Sequence, residues 1–189
     1  IRKKLTWLQP CLLGLKTSVG MGDRLGLATP GHVRAIRAVG AKIAPIFAQQ
    51  SIRENFRTGR NPQQVMDDAN WGMFQEGWQE GAGADADHLK VPEDIDICLA
   101  AGYSFFTIDP GLFVDNRAET ADQGFLRELA DKLPLDAQPA SSGLHSRVFE
   151  IENLSVRFDE FTLLKAAVKY GKAISHVVNM YRYLEKAAG

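Results

Sequence analysis

The sequence predicts an α/β protein built from parallel βα units and closed by a long C-terminal helix. Three observations carry this. Short runs rich in β-branched and aromatic residues alternate with segments of helical periodicity, the pattern of parallel βαβ units. Helix starts and stops are marked by capping residues, prolines and glycines at the expected offsets. The last stretch, Phe161 to Ala187, carries one apolar stripe through Leu164, Ala167, Val168, Gly171, Ile174, Val178 and Tyr181.

Taken in order, the strand candidates are Cys11–Leu15, Ile43–Phe47, Ala82–Ala86 and Tyr103–Ile108, the last being the clearest because aromatic and β-branched residues fill it. Thr29-Pro30 offers an N-cap followed by proline at the first helical position, and Gly40 stands where a helix-ending glycine belongs. Ser51 and Glu54 have capping-box spacing, with Gly59 closing that short helix. Asn61-Pro62 opens a helix with the stripe Val65, Met66, Ala69, Met73 and Phe74. Pro92-Glu93-Asp94 starts another, its acids in the first turn where the helix dipole favours them, and Gly102 ends it. Thr120 to Gln123 gives a weaker capping box before Phe125, Leu126, Leu129 and Leu133. Pro134–Gly143, with Ser141 and Ser142, reads as a loop. Residues 148–158 leave their type open, an extra strand pair being one reading; residues 134–158 together form an insertion. Gly171 inside the long helix costs about 1 kcal/mol against alanine and implies a kink or close packing. No internal repeat or low-complexity segment is visible.

Composition narrows the function classes. Of 189 residues, 45% are apolar and 24% charged, ordinary for one soluble globular domain spanning residues 1–189. The 22 basic residues against 23 acidic ones give a net charge of −1, without the basic excess of a nucleic-acid binder. No apolar run approaches the ~20 residues of a membrane helix. Two cysteines, Cys11 and Cys98, are too few for a disulfide framework and fit a reducing, cytoplasmic setting. The chain starts without Met and stops straight after a helical pattern, which reads as a piece of a longer protein.

Chemistry collects at two strand ends. Gly83-Ala84-Asp85-Ala86-Asp87-His88-Leu89-Lys90 brings carboxylates, an imidazole and an amine out of one strand, and Asp109-Pro110-Gly111 follows another. Active sites of parallel α/β sheets form at the carboxyl ends of strands. Asp87 and His88 are adjacent and point to opposite sides of an extended strand, a constraint that a loop relaxes. Oxygen from Asp and nitrogen from His suit Zn²⁺, Mn²⁺ or a similar ion, but three or four ligands are needed. Alternatively these acids cap the helix at Pro92, and Asp109 closes an Asx-turn. The run Ser18–Gly26 is neither a P-loop nor a dinucleotide fingerprint. Its glycines let backbone approach an anion with Arg24 as a bidentate fork, or else it is a tight turn with an Asp23–Arg24 surface pair. His32 is read as capping or exposed, His145 and His176 as structural, Cys98 as an inert core thiol, and Trp71, Phe74 and Trp78 as core or lid packing.

Three motifs, met in order along the chain, carry a resemblance. Gly22-Asp23-Arg24-Leu25-Gly26-Leu27-Ala28-Thr29-Pro30-Gly31-His32 is followed by Ala84–Lys90 and by Ala101-Gly102-Tyr103-Ser104-Phe105-Phe106-Thr107-Ile108-Asp109-Pro110, and together they resemble the tagaturonate epimerase family, clearly from about Lys16 to Val114 and more weakly to the end. The resemblance implies a metal-dependent epimerase of a small sugar acid, part of a TIM-barrel-like fold, with Asp87 as acid/base carboxylate and His88 as a ligand of a divalent cation. It implies substrate-binding roles for Arg24, Lys90, Asp109 and Asp23, with Arg24 or Lys90 on the substrate carboxylate. Family members are considerably longer, so further ligands and a second acid/base group would follow Gly189. A full (β/α)₈ barrel takes about 250 residues, with 200 near the floor, so four or five strand candidates amount to a fragment of one.

The two sugar acids so implied differ at a carbon β to the ketone, where simple enolisation does not acidify the C–H bond. Retro-aldol cleavage, rotation of the aldehyde and re-addition is a workable route; oxidation and reduction at that carbon would need a nicotinamide site that is not found. The alternative function is a non-catalytic α/β module binding a small anionic sugar.

Overall fold

The computed structural model describes residues 1–189 other than Ala41 and 140–142. It divides into two compact units, one of residues Ile1–Ile108 with Leu184–Gly189, the other of residues Asp109–Tyr183.

The first unit is a four-stranded parallel sheet in the order β1-β2-β3-β4, with β1 Ser18–Gly20, β2 Ala44–Ser51, β3 Gly83–Leu89 and β4 Phe105–Ile108. Helices α1 Thr29–Val39, α2 Ile52–Thr58, α3 Pro62–Gln75 and α4 Pro92–Ala101 lie between the strands in the chain. The half-barrel order of a sheet whose consecutive strands are neighbours agrees with the expected βα units. Local chemistry sets the helix boundaries. The Ser51 hydroxyl accepts from the Glu54 amide, and Asn61 and Gln64 bond reciprocally across the first turn of α3. Gly40, Gly59 and Gly102 all end helices in the left-handed conformation. Asp94 reaches back to the amides of Lys90 and Val91, so the acid that caps α4 lies inside that helix and is neither Asp85 nor Asp87.

Packing against the helices uses small strand residues. Ala84 and Ala86 alternate on one face of β3 and are buried, as are Val33 of α1, Met66 and Met73 of α3 and Ile95 and Cys98 of α4. Phe47 of β2 meets Trp78 edge-on at 5.6 Å. Burial pushes the Cys98 thiol up to about 12, helped by Asp94 and Asp85, which matches an inert core thiol. Among the expected aromatic packers only Trp78 is core; Trp71 and Phe74 are exposed.

Several boundaries differ from expectation, β2 running on to Ser51 and β4 starting only at Phe105 among them. Cys11–Leu15 is not a strand: Gly14 is left-handed and the Lys16 amide bonds back to Leu13, a turn that breaks extension, and the first strand forms at Ser18. The helix expected to be capped by Thr29 begins at Thr29, which is buried against Gly72. Strand β3 runs on to Leu89, so Asp87 and His88 belong to the strand itself. Asp122, accepting from the Phe125 amide at 2.8 Å, caps the helix expected from Thr120.

The second unit holds α5 Gln123–Ala130, the antiparallel pair β5 Val148–Ile151 and β6 Leu154–Arg157, and most of α6 Glu160–Ala188. Its core joins Ala118, Leu126, Ala130, Leu133, Leu164 and Val168. Residues 148–158 thus do contain a strand pair, and Gly171 is a close-packing glycine: a Cβ there would come 3.1 Å from Ala137. A 3-10 turn, Leu135–Ala137, interrupts the expected loop, of which Ser141 and Ser142 lie outside the described residues.

Candidate active site

A cleft of about 840 Å³ opens at the carboxyl ends of β2 and β3, between the glycine-rich loop after β1 and the start of α2. Arg24, Asp23, Asp87 and His88 all line it, so the first and second sequence motifs converge on one place.

The pairing of Asp87 with His88 depends on the backbone. His88 has φ 60, and the register between β3 and β4 shifts between Ala86 and Leu89. A left-handed residue breaks the alternation that sends neighbours to opposite faces. As a result His88 Nδ1 lies 2.6 Å from Oδ1 of Asp87. The remaining ring nitrogen, Nε2, takes no part in that contact, and the side chain as a whole is about half exposed. Such a conformation costs a non-glycine residue about 1–2 kcal/mol.

Deeper in the sheet, Asp85 is buried and fully engaged. Gln49 Nε2 donates to its Oδ2 at 2.7 Å and Thr107 Oγ1 to its Oδ1 at 2.9 Å. Burial raises the Asp85 carboxyl, with a further push from Asp87, while the two hydrogen bonds hold it back.

The glycine-rich loop is held by its own acid. Asp23 accepts from the amides of Leu25, Gly26 and Ala28 at 2.7 to 3.0 Å. Burial alone would push its carboxyl up; the backbone bonds from Ala28, Leu25 and Gly26 outweigh this and leave it below the ordinary range. Arg60 fastens the loop to α3, donating to the Asp23 carbonyl at 2.9 Å, to Gln50 and to Asp68 at 2.6 Å. Gly26 has φ 75, and a Cβ there would overlap the Asp68 carboxylate.

Arg24 does not pair with Asp23. Its Nε lies 3.6 Å from Glu54, which also meets Arg53 at 3.7 Å and Arg57 at 2.9 Å. Three guanidinium groups around one nearly buried carboxylate make a local excess of positive charge beside Glu54, where an anionic group can be held, although Asp23 and Asp87 also line the cleft. Arg24 and Arg53 both line the cleft.

Lys90 and Asp109 are placed differently. Both follow strands at the carboxyl end of the sheet, since Leu89 pairs with Ile108. The Lys90 amide bonds to Asp94, and Lys90 is not a lining residue of the cleft. Asp109 accepts from the Gly111 amide at 2.9 Å, an Asx-turn, and belongs to the second unit. His32 also stays outside the cleft lining. Sequence reasoning missed Gln49 and Arg53; it counted Asp85 among the carboxylates at the strand end without giving it a role, and took Glu54 only as a capping-box acid.

Among the described residues no three His, Cys, Asp or Glu side chains gather closely enough to hold a metal ion. Asp87 and His88 supply two donors at most, fewer than a site requires.

Known proteins give this geometry its context. A sequence model of tagaturonate epimerase matches residues 1–189. The chain belongs to the tagaturonate epimerase family. The tagaturonate/fructuronate epimerase of Thermotoga maritima is 43% identical over 193 residues, which cover 98% of this chain and 38% of that protein. The glycerol-complexed crystal structure of the fructuronate-tagaturonate epimerase of Cohnella laeviribosi superimposes with a TM-score of 0.89 at 36% identity, over 100% of this chain and 38% of that one. Its native crystal structure gives 0.85 at 37% identity, covering 96% and 37%. The chain therefore spans about 38% of the length of the curated tagaturonate epimerase that it matches.

Proposed function

We propose that the whole protein carrying this chain interconverts tagaturonate and fructuronate, and that this chain supplies one wall of the active site, as part of a TIM-barrel-like fold. The observation that carries the reading is the Asp87–His88 contact, made by a left-handed residue at the carboxyl end of β3 inside a cleft rimmed by Arg24 and Arg53.

The reaction fits a retro-aldol and aldol sequence. Asp87 takes the proton from the hydroxyl on the inverting carbon as the bond between that carbon and the carbon next to the ketone breaks. The bonding electrons move towards the ketone oxygen, leaving an aldehyde fragment and an enediolate. The aldehyde turns, the bond reforms on its other face, and Asp87 returns the proton. His88, held at 2.6 Å, orients the Asp87 carboxylate. Arg24 and Arg53 hold the substrate carboxylate, while Asp23 sets the shape of the loop that carries Arg24. Lys90, which does not line the cleft, and Asp109, engaged in its Asx-turn, take no part in this step.

His88 is also the one imidazole this stretch offers to a divalent cation, whose other ligands then come from outside the described residues. The described residues do not complete such a site. Two free cysteines fit a reducing cytoplasmic setting, and no helix among the described residues is long and apolar enough to cross a membrane.

The test is to incubate the whole protein with tagaturonate and follow fructuronate by NMR in D₂O. The expected result is interconversion with no deuterium at the inverted carbon, together with an isotope effect when the breaking carbon–carbon bond is labelled with ¹³C. Deuterium at that carbon overturns the retro-aldol route. Binding of the sugar acid without conversion favours the non-catalytic module.

A further inference from the structure

One face of the sheet carries a polar row that crosses all four strands. Gly20 of β1, Gln49 of β2, Asp85 of β3 and Thr107 of β4 are its members. Gln49 and Asp85 are register partners, and Asp85 pairs with Phe105, two residues before Thr107 on the same face. Each member constrains the next. A Cβ on Gly20 would overlap the Gln49 amide, so the glycine is what gives that side chain its space. Gln49 Nε2 donates to Asp85 Oδ2 at 2.7 Å, and Thr107 Oγ1 donates to Asp85 Oδ1 at 2.9 Å. Asp85 is only 3% exposed, so this arrangement is built into the sheet.

The orientation of the Gln49 amide follows from the chemistry of its partner. An ionised carboxylate only accepts hydrogen bonds, so it selects the NH₂ side of the amide. Oε1 is thereby left over, and it accepts no hydrogen bond from any described residue, while Gln49 lines the cleft. An acceptor fixed in this way meets a donor, and a sugar acid presents hydroxyl groups.

We propose that Gln49 is a specificity-determining residue, its Oε1 accepting a hydrogen bond from one hydroxyl of the sugar acid, with Asp85 and Thr107 as positioning residues that hold the amide in that orientation. The proposal rests on the epimerase reading. Ser51 pairs with Asp87 two residues further along β2, which sets Gln49 about 6–7 Å deeper along the strands than the acid/base group. The hydroxyl that Gln49 reads is therefore a different one from the hydroxyl that Asp87 deprotonates.

The experiment measures competitive inhibition of epimerisation by a panel of sugar-acid analogues, each lacking one hydroxyl, in the whole protein and in its Gln49→Leu and Asp85→Asn variants. In the wild type one analogue should bind about 5- to 150-fold more weakly than the parent, the range for leaving a buried polar group unpaired. In Gln49→Leu that same analogue should lose no more than about twofold. Asp85→Asn, which lets the amide turn, should lose most of the same discrimination while the other analogues keep their ranking. Asp85→Asn preserves shape and so carries the test if Gln49→Leu does not fold. An active enzyme whose analogue ratios are the same in wild type and variants overturns the role of Gln49 alone. A wild-type protein that leaves the hexuronate unchanged overturns the epimerase reading and this inference with it.

Discussion

His88 Nδ1 lies 2.6 Å from Oδ1 of Asp87, although adjacent residues of a strand ordinarily face opposite ways. The left-handed backbone at His88 makes the contact possible, and the register shift beside it marks the place. Strain, charge and position at the carboxyl end of a parallel strand coincide on these two side chains.

Asp87→Asn should lower kcat of the whole protein by about 10²–10⁴, the usual loss when a general base is removed. The amide keeps the size of the carboxylate and cannot accept the proton, so bound metal should be unchanged. Steady-state kinetics with elemental analysis checks both, and a fully active Asp87→Asn enzyme removes Asp87 from the mechanism.

His88 lends itself to two substitutions that separate backbone from side chain. His88→Ala keeps the left-handed strain, whereas His88→Gly relieves it, so the glycine variant should be about 1–2 kcal/mol more stable than the alanine variant in urea denaturation. Both should lose activity and bind a divalent cation more weakly in the whole protein, with excess metal restoring part of the activity. The 189-residue chain by itself should hold no chelator-resistant metal, because its described residues supply too few donors. Equal stability of the two variants argues against strain at His88.

Arg24→Ala and Arg53→Ala should each raise KM about tenfold or more with a smaller change in kcat, since a charge-assisted hydrogen bond contributes about 1.5–3 kcal/mol. Glu54→Gln should lower KM by removing the negative charge that lies between those arginines. A KM that ignores all three changes places the substrate carboxylate elsewhere.

Asp23 makes stability depend on pH in a defined direction. Its folded carboxyl titrates below the ordinary range of about 3.9, so the unfolded chain takes up that proton first as pH falls. The stabilisation is fully present above the unfolded value and disappears as pH drops through the folded one. Asp23→Ala should therefore cost about 1–3 kcal/mol at pH 7, and the difference from wild type should shrink below about pH 4. Thermal melts of both proteins across pH 2–7 measure it; a gap independent of pH means that the charge of Asp23 does not hold the loop.

Gly26→Ala tests the same loop by sterics. With φ 75 and the Asp68 carboxylate in the way of a Cβ, the substitution should destabilise by about 1–3 kcal/mol and raise KM through displacement of Arg24. An unaffected Gly26→Ala protein shows that the loop yields freely.

The sequence by itself determined the features that local chemistry writes. Ser51 with Glu54 and Asn61 with Gln64 cap their helices across three residues, and Gly40, Gly59 and Gly102 stop helices where a left-handed residue is needed. Alternating elements dictated parallel strands, and parallel strands dictated that Asp87 near the end of β3 and Asp109 after β4 share one sheet end. Tertiary structure decided which of those polar groups meet. Gln49 and Asp85 are 36 residues apart, and Asp85 and Thr107 are 22 apart, so their contacts depend on strand register, which is set by the packing of both sheet faces. The conformation of His88 belongs to the same class. Histidine tolerates φ 60 better than most residues but does not demand it; the conformation occurs where the register shifts between Ala86 and Leu89, and two residues expected on opposite faces become one hydrogen-bonded pair.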